Sequence, residues 1–247
     1  EGCGLLEMRR LTEDDIFGAG DFPGLIQDYL NFTDEGEDVL SDIQMRRDRV
    51  RTGDRYIGCH LIADLDQLPA EVASCRKVTS LSTDSSAVNL SFLNEIGQEL
   101  DCEHIVNHFI LKEPLKDIHG ELDTRRRQML SMSARSAENR MYSEELNEFL
   151  EEAATEQMHT VRFHINVLAS GTADEFESVK DKVVSAVSRM GVTPVYDIYD
   201  TPCQFWASIP GNEAGLAYQE YMTADLKVAL CMGIYDGFEP GVPDGVM

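Results

Sequence analysis

Hydrophobic and polar residues alternate strictly along Thr160–Leu168. A period of two predicts a β-strand that packs one face on a core and exposes the other face to water. The predicted core face consists of Val161, Phe163, Ile165 and Val167, and the predicted water-exposed face of Arg162, His164 and Asn166. Looser patterns predict further strands at Leu5–Leu11, Leu40–Arg51, Arg55–Leu65, Val88–Leu100, His104–Leu111, Val195–Tyr199 and Gln204–Ile209.

Other segments repeat their apolar residues with the helical period. Thr172–Glu175 matches a capping box, which predicts a helix that ends at Gly191. Ser143 is predicted to cap a second helix, whose apolar stripe consists of Leu146, Phe149, Leu150, Ala153 and Ala154. The acidic residues after Thr12 predict the start of a short helix, and Phe22–Asn31 is predicted to form another.

The order of these elements predicts an α+β fold with two subdomains of mostly antiparallel sheet and helices packed on one face. The predicted subdomains are a β-rich part at residues 1–115 and an α+β part at residues 143–236. Residues 116–142 are charged and are predicted to form a helical linker between them. The Gly- and Pro-rich residues 237–247 are predicted to be a linker toward a further domain.

Composition narrows the possible classes of protein. The chain has 247 residues, and 45 Asp and Glu against 21 Lys and Arg give a net charge of −24. Such a balance argues against a large nucleic-acid interface, which depends on Lys and Arg that neutralise phosphates. The longest stretch without a charged side chain, Thr201–Asn212, has 12 residues, fewer than the roughly 20 of a membrane-spanning helix. Six cysteines without a C-x-x-C pair predict reduced thiols and a cytoplasmic location.

Sequence motifs for nucleotide hydrolysis, acyl transfer or zinc proteolysis are missing. None of the six lysines follows a glycine, so the chain has no P-loop, and it has neither G-x-S-x-G nor H-E-x-x-H. We therefore predict that these residues are not an enzyme by themselves, with no catalytic, cofactor-binding or metal-binding residue to assign.

Three clusters could nevertheless carry chemistry. Cys102, His104 and His108 resemble a metal-binding set, but on a strand the two histidines would lie about 13 Å apart, too far for one ion. Cys102 with His104 could act as a nucleophile and base in a cleft, which is the alternative function. Arg125–Arg127 could bind nucleic acid, although nearby acidic residues favour an ordinary solvated helix face.

Four short segments occur in an order typical of one known family: Arg10–Ile16, Leu81–Asp84, His164–Val167 and Trp206–Asn212. In order and spacing they resemble the N-terminal region of TraG-type conjugation proteins of conjugative transposons, which are relatives of the VirB-class ATPases of type IV secretion systems. The resemblance runs from about Leu11 to Asp236. In that family the P-loop lies in a later ATPase domain.

The resemblance implies a non-catalytic N-terminal module that acts in protein–protein docking and assembly of a DNA-transfer apparatus. ATP and Mg²⁺ are expected only in the parent's ATPase domain, beyond Met247. The implied partners are other conjugation or type IV secretion subunits at the inner membrane, with possible homo-oligomers through the parent and no direct nucleic-acid binding. The implied location is cytoplasmic and peripheral to the inner membrane.

Overall fold

The computed structural model describes residues 10–20, 22–31, 42–69, 71–72, 76–77, 79–80, 82–83, 86–156, 158–233 and 237–239. Most of the strand predicted at Leu5–Leu11 lies outside the described residues, as does most of the linker predicted at 237–247.

Helices and strands, joined by loops, occur throughout the described residues. The helices are α1 (Glu13–Phe17), α2 (Leu25–Asn31), α3 (Phe92–Glu99), α4 (Leu115–Met132), α5 (Ala137–Thr155), α6 (Phe176–Arg189), α7 (Thr201–Ala207) and α8 (Leu226–Cys231). The strands are β1 (Gly18–Ala19), β2 (Phe22–Pro23), β3 (Ile43–Arg46), β4 (Arg49–Thr52), β5 (Arg55–Ile62), β6 (Arg76–Lys77), β7 (Ala87–Leu90), β8 (His104–Leu111), β9 (Thr160–Thr172), β10 (Val195–Tyr196), β11 (Met222–Asp225) and β12 (Gly237–Glu239).

The long strand β9 organises the largest sheet. It pairs antiparallel with β5, β8 and β11, while β4 and β3 extend the sheet beyond β5 and β10 pairs with β5. These pairings and the helices that cover them confirm the predicted α+β class with antiparallel sheet. Strands from both predicted subdomains take part, so residues 1–115 and 143–236 contribute to one sheet.

Helices cover both faces of this sheet. On one face, Phe163, Ile165 and Val167 of β9 pack in a cluster with residues of α3, α6 and α8. On the other face, Leu168 packs with Cys59 of β5 and with residues of α2 and α7. Because neighbouring residues of a strand point to opposite faces, β9 has a core on each side.

The face predicted to be wet is therefore buried, which corrects the sequence-based interpretation. Arg162, His164 and Asn166 are 4%, 0% and 0% exposed. Strict alternation identified the strand correctly, but it could not reveal the second layer that covers the polar side chains.

Two segments predicted as strands contain helices. Residues 88–100 form only the end of β7 before α3 begins at Phe92, and residues 204–209 belong mostly to α7. In α7 a proline lies in the first helical turn, where its missing N–H costs no hydrogen bond. The predicted strand Leu40–Arg51 is in fact the two strands β3 and β4 with a turn between them.

Residues 116–142, predicted as a helical linker, form most of a helical hairpin. α4 has 18 residues and α5 has 19, joined by a short turn at Ser133–Ser136. Ser143 is the predicted helix cap, but in the structure it lies buried inside α5. The actual cap is Ser136, whose hydroxyl accepts a hydrogen bond from the backbone N–H of Asn139.

The short helix predicted after Thr12 is confirmed, and its capping box is complete in α1. Among the helices in the described parts of the chain, none combines the length and the apolar character needed to cross a membrane.

Candidate functional site

Cys102, the nucleophile of the alternative hypothesis that the chain is an enzyme, lines a cavity of about 260 Å³. The cavity lies between the end of β9 and α6, and its other lining residues include Arg55, Ser170 and Lys182. Lys182 forms an ion pair with Asp101 (2.8 Å), and Arg55 forms one with Glu103 (2.5 Å). The cations of this cavity are thus already paired with carboxylates.

The environment of Cys102 favours the protonated thiol. Burial raises the pKa of Cys102, the charge of Asp101 raises it further, and Lys182 opposes this only in part. The recorded contact of His104 is with the backbone of Cys102 and not with its thiol, since Nδ1 lies 2.7 Å from the backbone oxygen. A thiol with a raised pKa is a weak nucleophile near neutral pH, so catalysis at Cys102 stays a prediction without support from the geometry.

The two histidines of the apparent metal set lie four residues apart on β8, opposite Ala169 and Ile165 of β9. Their surroundings are apolar, and the ring of His108 packs edge-on against Phe163. Among the described residues, no group of three or more His, Cys, Asp or Glu side chains is arranged to hold a metal ion.

Arg125–Arg127, considered for nucleic-acid binding, lies on α4. Arg126 and Arg127 both form ion pairs with Asp123, at 2.7 and 2.6 Å. Arg125 lies over the ring of Tyr142 in α5, 5.2 Å from its centroid. Only Arg125 therefore bridges the two helices of the hairpin, whereas the ion pairs of Arg126 and Arg127 lie within α4.

The hairpin is attached to the sheet through the polar face of β9. The guanidinium of Arg162 donates to Glu113 (2.8 Å) and to Glu121 of α4 (2.5 Å). The ring of Tyr218 lies 4.2 Å from the guanidinium carbon, and its hydroxyl donates to the same two carboxylates. A planar guanidinium suits this arrangement because it can serve two carboxylates at once. Arg162 is the anchor of the hairpin.

The next two polar residues of β9, His164 and Asn166, form a buried network. The side-chain oxygen of Gln204 in α7 accepts from Asn166 (2.9 Å) and contacts Nε2 of His164 (3.0 Å). Nδ1 of His164 contacts the backbone oxygen of Glu220 (2.9 Å). Both contacts favour a charged ring, but burial outweighs them and lowers the pKa of His164. The network fixes α7 on the sheet.

The outer half of the hairpin is not covered by the rest of the described chain. Ile118 and Leu122 are the buried residues of α4, and none of the residues from 123 to 132 or from 137 to 142 is buried. Ten residues of α-helix span about 15 Å. We call residues 124–142 the hairpin tip.

The hairpin tip combines exposed apolar side chains with positive charge. Leu130, Met132 and Met141 are 54%, 43% and 58% exposed. The tip contains five arginines and one glutamate, a net charge of +4 in a chain of −24. Exposed apolar residues that form a continuous patch are typical of interaction surfaces, and the hairpin tip adds a local positive charge to them. This is the candidate functional site.

The sequence indicated the charged segment, but the exposed apolar residues of the hairpin tip were not predicted. The arginines drew attention, whereas the apolar residues were too widely spaced to form a stripe. Only the turn at Ser133–Ser136 brings Leu130 and Met132 near the start of α5.

Comparison of the chain with known protein families finds no family that matches, and comparison with curated proteins finds no matching relative. The resemblance to TraG-type proteins therefore depends on the sequence segments alone.

Proposed function

We propose that this chain is a non-catalytic docking module, and that the hairpin tip is its docking surface. The observation that carries the proposal is a helical hairpin anchored by a buried arginine, with a tip that is both apolar and positively charged. By the resemblance to TraG-type conjugation proteins, the module belongs to an ATPase of a type IV secretion apparatus and helps to assemble it.

Charge indicates which surface the tip would bind. Arg125, Arg127, Arg135 and Arg140 are exposed around the three apolar residues. A partner surface with carboxylates around an apolar patch would complement this pattern in both charge and hydrophobicity. The proposed partner is another subunit of the apparatus at the cytoplasmic side of the inner membrane. A second copy of this acidic chain would also offer carboxylates, and the test below separates the two.

ATP hydrolysis has no place in this proposal for the chain itself. By the resemblance, ATP and Mg²⁺ are bound by another domain of the parent protein, which would use the docked module to transmit or orient its motion. We propose peripheral attachment to the membrane through protein partners, since the net charge of −24 would be repelled by anionic lipids.

Substitution at the tip tests the proposal. Met141→Asp together with Leu130→Asp places carboxylates in the docking surface while changing no buried residue. Val184→Asp is the matched control, because Val184 is 39% exposed and lies on α6, away from the hairpin. Affinity-tagged chains are captured from cells that express the whole transfer apparatus, and the co-purified subunits are quantified by mass spectrometry.

We expect the double variant to lose a subunit of the apparatus that the wild-type chain and the Val184→Asp chain both capture. Loss of only the chain's own second copy would assign the tip to homo-oligomer formation. Equal capture by all three chains would contradict the proposal.

A further inference from the structure

The hairpin formed by β3 and β4 carries arginines on one face. Arg46 lies opposite Arg49, and Gln44 lies opposite Arg51, in the antiparallel register. Residues opposite one another lie on the same face of a sheet, and alternate residues of a strand share a face. The three arginines therefore belong to one face, while Val50 and Thr52 are buried on the other.

This arginine face forms one wall of a cavity of about 250 Å³. Tyr56 of β5, which is paired with Arg51, continues the wall. The opposite wall consists of Ala173, Phe176 and Glu177, where the chain enters α6. A cavity of this size accommodates a compact ligand and is smaller than the usual site for a drug-sized molecule.

The positive charge in the cavity is only partly compensated. In the described residues Arg46 makes no ion pair, and Arg49 has only Asp48 at 3.6 Å. Nε of Arg49 is buried and has no hydrogen-bond partner. Arg51 donates to the backbone oxygen of Gly53 (2.7 Å), a neutral group that cancels no charge.

The acidic side chain in the lining does not neutralise these arginines. Glu177 is held by Lys180 of the same helix, with an Nζ–Oε2 distance of 3.0 Å. Arg49 and Arg51 stack instead near the ring of Tyr56, at 5.8 and 5.7 Å from its centroid. The aromatic ring orients the two guanidinium groups without removing their charge.

The start of α6 adds a second, independent feature that attracts anions. The N-terminal cap of α6 is Glu175 and not Thr172, as the sequence predicted, because Thr172 is the last residue of β9. The carboxylate of Glu175 accepts hydrogen bonds from Thr172 and makes none to the N–H groups of the first turn. Those groups and the helix dipole place partial positive charge at the helix start. Phe176 and Glu177, which line the cavity, belong to this first turn.

We propose that this cavity binds a compact ligand that carries two or more phosphate groups, such as an inorganic polyphosphate or the phosphate chain of a nucleotide. Guanidinium groups bind phosphate oxygens in pairs, and helix starts bind phosphates through backbone N–H groups. Three arginines and one helix start match a ligand with several negative charges. A nucleic-acid polymer fits less well, because it would extend over the surface of a chain with a net charge of −24.

Calorimetric titration of the whole chain with pyrophosphate at low salt tests the proposal, with tripolyphosphate and Mg²⁺-free ATP as further probes. Arg51→Gln and Arg46→Gln each remove one positive charge from the cavity lining. Arg46 is exposed and makes no ion pair in the described residues, so the Arg46→Gln variant should fold normally. Lys227→Gln is the control, since Lys227 lies on α8 beside β11, at the opposite edge of the sheet from β3. The melting temperature of each variant verifies its fold.

We expect each arginine variant to weaken pyrophosphate binding by roughly tenfold or more, the contribution of a charge-assisted hydrogen bond. Lys227→Gln should bind like the wild type, and pyrophosphate should shift the side-chain amide signals of Gln44 in NMR spectra. Tighter binding of ATP than of tripolyphosphate would identify a nucleotide, and equal binding would identify the phosphate chain alone. No binding at millimolar pyrophosphate, equal weakening by Lys227→Gln, or tighter binding of a duplex oligonucleotide through the same arginines would overturn the proposal.

Discussion

The two faces of the central strand β9 are both buried but are stabilised in different ways. Phe163, Ile165 and Val167 are covered by apolar side chains, so their contribution is the apolar area removed from water. Arg162 and His164, on the other face, are covered as completely, but each polar atom has a named partner. The apolar face closes the core, and the polar face attaches α4 and α7.

Buried histidines show the same contrast at the level of single side chains. Both ring nitrogens of His164 lie within 3.0 Å of an oxygen acceptor, whereas among the described residues His60 on the apolar side has no partner for either nitrogen. Burial, followed by the charge of Lys180, lowers the pKa of His60 to about 4. Polar residues can thus occupy either face, but the two buried histidines differ in whether their ring nitrogens have partners. Four substitutions, ordered by the expected size of their effects, test this contrast.

The largest effect is expected from Phe163→Ala on the apolar face. Phe163 is fully buried, and its removal would leave a cavity in the larger core cluster. We expect the free energy of unfolding to fall by roughly 3–5 kcal/mol. Denaturant titration followed by circular dichroism measures it. A loss below about 1 kcal/mol would show that the core is not closely packed there.

Arg162→Met on the polar face should cost nearly as much. The substitution keeps a similar volume but leaves Glu113 and Glu121 without their cation. We expect a loss of roughly 3 kcal/mol. Hydrogen exchange should also become faster in α4 than in α6, because the hairpin loses its anchor. Equal changes in both helices would contradict the assignment of Arg162 as the anchor.

Gln204→Leu should have a smaller effect. It leaves the side-chain amide of Asn166 and Nε2 of His164 without their acceptor in a buried site. We expect a loss of about 2 kcal/mol, the cost of buried polar groups without partners. Gln128→Leu on the exposed surface of α4 is the control and should change the free energy of unfolding little.

At neutral pH the smallest effect is expected on replacing His60 by Phe, which mainly changes how stability depends on pH. The folded protein holds His60 neutral down to about pH 4, whereas the unfolded chain takes up the proton near pH 6.5. The contribution of neutral His60 to the free energy of unfolding is therefore fully present above about pH 6.5 and is lost as the pH falls toward 4. In that window the wild type should lose up to about 1.4 kcal/mol per pH unit more than the variant. Urea titrations at several pH values measure the free energy of unfolding of both proteins. An equal pH dependence in the wild type and the variant would contradict this expectation.

Sequence patterns predicted a strand correctly where the residues alternated regularly. Where a turn interrupted the pattern, two strands were predicted as one. When Leu40–Arg51 is treated as a single strand, Arg46 falls on the face opposite to Arg49 and Arg51. The turn at Arg47 and Asp48 reverses the chain, and the antiparallel register places all three arginines on one face. The arginine cavity is therefore visible only once the turn is located.

The candidate docking surface could be predicted only in part. The charge of residues 116–142 and their helical character were evident from the sequence, but the break into two helices was not. Ser136 caps α5 with one acidic residue, Glu138, in the first turn, whereas two adjacent glutamates, Glu144 and Glu145, drew attention to Ser143. The anchor was hidden for a different reason, since Arg162 alternates with apolar residues as a solvated side chain would.

Site-specific cross-linking tests the proposed docking role most directly. A photoreactive amino acid is placed at Met141 in the hairpin tip, or at Val184 on α6, in cells that contain the complete transfer apparatus. If the hairpin tip is the docking surface, the chain labelled at Met141 cross-links to another subunit of the apparatus, and the chain labelled at Val184 does not. Cross-links to that subunit from Val184 alone, or from neither position, would contradict it.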